Sequence, residues 1–183
     1  MPLYPFEGRW PKIDETAFIH PDAVVIGDVE IGPHSSLWPG VVARGDVNFI
    51  RIGSRSNIQD GSILHTTRPK PTNAAGYPLV IGDDITIGHR VTLHGCTLKD
   101  GCMVGMNAMV MDSVVVEEQA MIAAGAMVTP GKQVTRRTLW IGSPAREKRG
   151  MDEAAIAEIS ATTENYLRLA AQYRKELESL TER

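Results

Sequence analysis

The 183-residue chain predicts an all-β fold, a parallel β-helix closed by one C-terminal α-helix. Aliphatic residues recur every six positions over most of the chain, and small residues follow them at the fourth position. From Gly150 onward the apolar spacing switches to three and four. A period of six suits neither an amphipathic helix nor an open sheet with tight hairpins. It suits a triangular coil of three short strands, each aliphatic pointing to the axis and successive coils hydrogen-bonded about 4.8 Å apart.

Four phases of the count follow one another along the chain. Ile13, Ile19, Val25, Ile31, Leu37 and Ala43 keep the first; Ile52, Ile58 and Leu64 the second; Ile81, Ile87 and Leu93 the third. Leu98, Val104, Val110, Val116, Ile122, Val128, Val134 and Trp140 keep the last. Three extra residues at Phe49, Ile50 and Arg51, a long interruption between His65 and Val80, and one residue fewer between Leu93 and Leu98 separate them. Ser35, Ser56, Ser62, Thr97, Cys102, Ala108, Ala120 and Ala126 are small enough to turn inward at crowded corners.

The second element is helical. Ile156, Ile159, Thr163, Tyr166, Leu167, Ala170, Tyr173, Leu177 and Leu180 form one stripe, and Asp152 is its expected N-cap. Gly142, Pro144 and Gly150 end the strand pattern before it. The expected division is a β-helix domain over residues 1–148, with a loop insertion at 66–79, and a helix over 151–182 packed on its outside.

A net charge of -3 without a Lys/Arg cluster argues against a polyanion partner, so no nucleic acid is expected. The first thirty residues carry Pro2, Pro5, Glu7, Arg9, Pro11, Asp14 and Glu15 with no continuous apolar run, so neither a signal peptide nor a membrane span is expected and the address is cytoplasmic. Cys96 and Cys102 read as reduced, partly buried small residues.

The coil count also sorts the histidines. With the sides called A, B and C in chain order, Arg44, His65 and His94 each follow a side-A aliphatic, so His65 and His94 stack one coil apart on one corner. Two imidazoles so spaced converge on one ion, zinc taking nitrogen at about 2.0–2.1 Å. His89 leaves side C at the neighbouring corner, roughly 16 Å away along the strand, with Gln59 and Asp60 one coil earlier. These are two half-sites. A threefold ring of chains would bring one corner against the other, which predicts a homotrimer with metal held by three histidines at each interface. Arg44 with Asp46 forms either a plain ion pair or a contact that also orders Asp60 of the neighbour. His20 and His34 lack stacking partners and read as ordinary surface residues.

Arg44-Gly45-Asp46, Asn57-Ile58-Gln59-Asp60-Gly61-Ser62, His65, Gly88-His89 and Leu93-His94-Gly95-Cys96 together resemble the γ-class carbonic anhydrase family. The likeness runs through Ile141-Gly142-Ser143-Pro144 to the terminal helix. It implies a left-handed β-helix built of hexapeptide repeats, a homotrimer, and zinc, or iron or cobalt in its place, at subunit interfaces. It makes His65, His89 and His94 the metal ligands, puts Gln59 against the metal-bound water, and gives Arg44, Asp46, Asn57 and Asp60 supporting roles. Tyr166, or Asn165 beside it, is the residue the terminal helix would bring to the site.

The implied reaction is reversible hydration of carbon dioxide to bicarbonate. Three neutral imidazoles leave zinc its full charge and one open position, which supplies hydroxide near neutral pH. The chain departs from the family where a proton shuttle would stand, because Val47 takes the place of an acid and residues 66–78 hold no Asp or Glu. Weak or buffer-dependent hydration is therefore expected. Two other readings stay open: an acyltransferase or thioesterase acting on a coenzyme A ester, which would need one histidine base and no metal, and a structural protein whose metal only locks the trimer.

Overall fold

The computed structural model describes residues 3–181; the side chain of Leu180 and residue 182, both assigned to the helix from sequence, lie outside the described residues. The chain winds as a parallel β-solenoid of about eight turns with one C-terminal helix. Its inward ladders are read directly from strand register. On side A, Val25, Ala43, Leu64, Leu93, Val110 and Val128 stack in succession. Ile31, Ile52, Ile81, Leu98, Val116 and Val134 do so on side B. Ile19, Leu37, Ile58, Ile87, Val104, Ile122 and Trp140 fill side C. Nearly all of these side chains are fully buried, because each coil offers only three inward strand positions and the next coil covers them.

Corners are where a parallel coil loses backbone pairing, and small hydroxyl side chains repair it. Ser62 Oγ donates to Gly88 O at 3.0 Å and accepts from Val91 N at 3.1 Å, tying one coil to the next. Ser56 does the same between Gly82 O and Ile85 N. Thr97 departs from the expectation. With one residue fewer between Leu93 and Leu98, Cys96 takes the inward corner and Thr97 becomes an outward strand residue paired with Val80 and Val115. Cys96 and Cys102 are free and fully buried rather than partly so, and burial pushes both thiols far above their ordinary pKa.

The winding ends at Thr138–Gly142, after which Ala145–Gly150 folds back antiparallel on it. The helix Glu153–Thr181 follows, capped as expected by Asp152, whose Oδ1 accepts from Ala155 N at 2.9 Å. Ile156, Ile159, Thr163 and Ala170 are buried against side C. Farther along, Phe18, Trp38, Tyr166 and Tyr173 form an edge-to-face aromatic cluster, with Trp38 to Tyr166 at 5.4 Å. Among the described residues no helix is long and apolar enough to cross a membrane.

Candidate metal centre

Side A delivers two imidazoles to one corner. His65 and His94 end the strands Ile63–His65 and Thr92–His94 and are register partners one coil apart. Leu64 and Leu93 point to the axis, so strand alternation turns both histidines outward. His65 Nδ1 lies 3.0 Å from His94 Nε2. The other nitrogens are committed to carboxylates: His65 Nε2 lies 3.0 Å from Asp46 Oδ1, and His94 Nδ1 lies 2.6 Å from Asp112 Oδ1.

An ionised carboxylate only accepts, so each ring carries its proton outward and turns a lone pair inward. Two lone pairs facing each other at 3.0 Å repel unless a proton or a cation lies between them. Burial is the largest influence on His65; with the Arg44 charge and the neighbouring His94 ring it outweighs the pull of Asp46 and holds the ring below the ordinary imidazole pKa. That disfavours the proton. Two nitrogens bound tetrahedrally to zinc stand about 3.3 Å apart, so the pair fits a divalent ion. Two nitrogens do not complete a ligand set, and among the described residues of the chain no three His, Cys, Asp or Glu side chains are grouped to hold a metal.

Asp46 links Arg44 to His65. Burial works against its charge, but hydrogen bonds from Arg44, at 2.5 Å, and from His65 prevail and hold the carboxyl below its usual pKa. Asp112 is the residue the sequence reading missed. Val110 is the register partner of Leu93, which puts Met111 over His94 and Asp112 over Gly95; counting one more coil down the same corner would have found it. Gly95 makes the reach possible. It has φ +54°, and a Cβ there would sit 2.5 Å from Asp112 Oδ1 and 2.7 Å from the Tyr77 Cβ. Thr67 Oγ1 donates to the second Asp112 oxygen at 2.8 Å, so the 66–78 segment is fastened to the carboxylate that orients His94.

The corner at the opposite end of side A carries the remaining residues. His89 Nδ1 lies 2.9 Å from Asp60 Oδ2, and its side chain is 42% exposed. Gly88 before it is required, since a Cβ there would meet Met106 N at 2.7 Å. Gln59 is buried, and its Nε2 donates to Asn57 Oδ1 at 3.1 Å. Tyr166 comes from the helix to this corner; burial, and then the Asp60 charge, raise its phenol pKa. Asn165 lies on the exposed side of the helix, its Oδ1 accepting from Arg168 at 3.4 Å. Within one chain, then, Arg44, Asp46, His65 and His94 share one corner and Asn57, Gln59, Asp60, His89 and Tyr166 another. Arg44 pairs with Asp46, and Asp60 with His89.

Residues 11–45 match the family described as bacterial transferase hexapeptide (six repeats), and residues 78–111 and 100–130 that described as hexapeptide repeat of succinyl-transferase. A protein of the hexapeptide transferase family from Anaplasma phagocytophilum superposes with a TM-score of 0.87 at 44% identity, covering 94% of this chain and 98% of its own. Gamma carbonic anhydrase 1, mitochondrial, of Arabidopsis thaliana is 45% identical over 168 residues, 91% of this chain and 60% of that protein. The chain belongs to the γ-class carbonic anhydrase family. A Bacillus cereus structure described as an acetyltransferase aligns as fully, with a TM-score of 0.89 at 36% identity over 96% of this chain and 97% of that one. The chain spans less than two thirds of the length of the curated relatives it matches first. Membership in the γ class implies a metal cofactor, and the facing lone pairs of His65 and His94 are where the chain's own chemistry fits one.

Proposed function

We propose that this chain is a γ-carbonic-anhydrase-like zinc lyase, cytoplasmic, that hydrates carbon dioxide reversibly to bicarbonate at the interfaces of a homotrimer. The observation that carries the reading is the pair of inward lone pairs on His65 and His94, each fixed by a carboxylate on its far nitrogen. The third ligand is His89 of a neighbouring copy, held by Asp60 through Nδ1 with Nε2 left to bind.

What lies between the two corners supports a trimer. The outward row of side A runs Val42, Ile63, Thr92, Met109 and Met127, register partners in succession, and Ile63 and Met109 are exposed large apolar residues. Three such rows facing a common axis bury one another and bring the His89 corner of each copy against the His65 and His94 corner of the next. Iron or cobalt suits the same nitrogen set.

His65, His94 and the neighbouring copy's His89 would hold zinc through three neutral imidazoles, and the metal would supply a hydroxide nucleophile at neutral pH. The chain's part is to orient and to hold. With Nε2 bound to Asn57, Gln59 turns Oε1 to the site, where it accepts a hydrogen bond and donates none. Arg44 and Asp46 stiffen His65, and Tyr166 closes the corner beside Asp60. No acid stands ready to export a proton, because residues 66–78 contain none and both oxygens of Asp112 are engaged. Hydration is accordingly buffer-dependent.

The Bacillus cereus likeness favours acyl transfer to or from coenzyme A as a second reading. A single histidine base would serve that chemistry, whereas two rings with opposed lone pairs exceed its needs. Metal analysis with stopped-flow carbon dioxide hydration at several buffer concentrations, beside His94→Ala and an acetyl-coenzyme A assay, tests both. The lyase reading expects bound zinc, rates rising with buffer and at least a hundredfold loss in the variant. Equal rates for parent and variant would refute it, and loss of the trimer on chelation with no activity to lose would leave a structural metal.

A further inference from the structure

A buried row of hydrogen bonds joins the terminal helix to Gln59. Thr163 Oγ1 lies 3.0 Å from Thr86 Oγ1, Thr86 Oγ1 accepts from Asn57 Nδ2 at 2.8 Å, and Asn57 Oδ1 accepts from Gln59 Nε2 at 3.1 Å. All four side chains are at most 5% exposed, so water does not compete for these bonds.

A row of this kind has a polarity. Read one way, each group donates toward the helix; read the other, both amides are turned over and Gln59 offers its NH2 to the site. The two directions are unequal because carbonyl oxygens, which only accept, stand at the helix end of the row and beside Asn57 within it. Thr163 Oγ1 has Ile159 O at 3.4 Å and Asp84 O at 3.5 Å to donate to, which leaves its lone pairs for the Thr86 proton. Ile85 O lies 3.4 Å from Asn57 Nδ2, where an amide oxygen would be repelled. Among the described residues, Thr163 is the side chain placed to take the Thr86 proton, so the helix hydroxyl completes the sequence of donors.

We propose that Thr163 and Thr86 are positioning residues that determine which end of the Gln59 amide faces the metal corner. The consequence for chemistry is direct. With Oε1 outward, Gln59 accepts a hydrogen bond from the attacking oxygen and leaves that oxygen's lone pair free for carbon dioxide; with NH2 outward it would occupy the lone pair. The helix therefore does more than cover side C. The catalytic consequence rests on the proposed hydration reading, whereas the orientation of the amide does not.

The test uses the full-length protein with its metal. Side-chain 15N spectra follow solvent exchange of the Gln59 Nε2 protons against those of Gln172 on the exposed helix face, in the parent and in Thr163→Val, Thr163→Ser and Thr86→Val. The parent is expected to protect Gln59 at least tenfold relative to Gln172. Both valine variants should lose most of that protection and lower kcat about three- to tenfold with KM unchanged, the loss of one orienting hydrogen bond. Thr163→Ser should restore both. Rapid Gln59 exchange in the parent, a reading that needs no variant to fold, would overturn the proposal, as would unchanged exchange in a folded Thr163→Val. If parent and variants alike hydrate no carbon dioxide, the hydration reading fails while the exchange result still decides the role of Thr163.

Discussion

Asp112 and Asp46 perform the same task on the two rings of the pair, each taking an outward N–H so that the inward lone pair is fixed. Asp112→Asn keeps the shape but loses an acceptor that is unambiguous, and carboxylate partners of ligating histidines are worth about 10–100-fold in metal affinity. Chelator competition should register that drop, and Thr67→Val should give a smaller one, since Thr67 holds the second Asp112 oxygen. Asp46 carries a pH signature as well. Its folded pKa lies below its unfolded value, so the stability it contributes is complete above about pH 4 and is lost as pH falls through the folded value. Thermal unfolding of the metal-free protein between pH 7 and pH 3 should show a steeper acid decline in the parent than in Asp46→Asn. Of these residues Asp46 was legible in sequence because it sits two positions from Arg44 in a motif; Asp112 was not, because its partner is 18 residues away and the link is made through the space Gly95 leaves open.

At the scale of the element, the coil is legible because its period of six is unlike any other, and the inward ladders are the same residues that set the four phases. The finer corrections are local. One residue fewer between Leu93 and Leu98 shifted the inward corner from Thr97 to Cys96, and a pattern of aliphatics alone does not say which of two small residues turns in. The helix stripe was visible, but its contact with Thr86 was not, because a buried hydroxyl pair leaves no periodic trace. Truncating an inward rung tests the ladder. Leu93→Ala removes a fully buried side chain between Leu64 and Val110 and should cost about 2–5 kcal/mol, measured by denaturant unfolding. Asp152→Ala should cost only about 1 kcal/mol, since it removes one cap at a helix end.

For the whole molecule, the proposed arrangement makes assembly and metal binding one event. The apolar outward row of side A lies between two incomplete sites, so a charge placed on it should break both. Met109→Asp leaves every histidine in place, yet it should sediment as a smaller species and bind metal weakly. What sequence reading supplied at this scale was the separation of His89 from His65 and His94; the facing lone pairs that call for a cation became evident only once the ring nitrogens had partners.

The most direct test of the interfacial site is a mixed oligomer. His89→Ala and His94→Ala proteins, each expected to bind little zinc alone, are unfolded together and reassembled. Any trimer containing both has one junction where His65 and His94 of the His89→Ala copy meet His89 of the other. Recovery of about one zinc per mixed trimer, by metal analysis of the isolated species, is the predicted result. Mixed trimers that bind no more metal than either variant alone would contradict a site shared between copies.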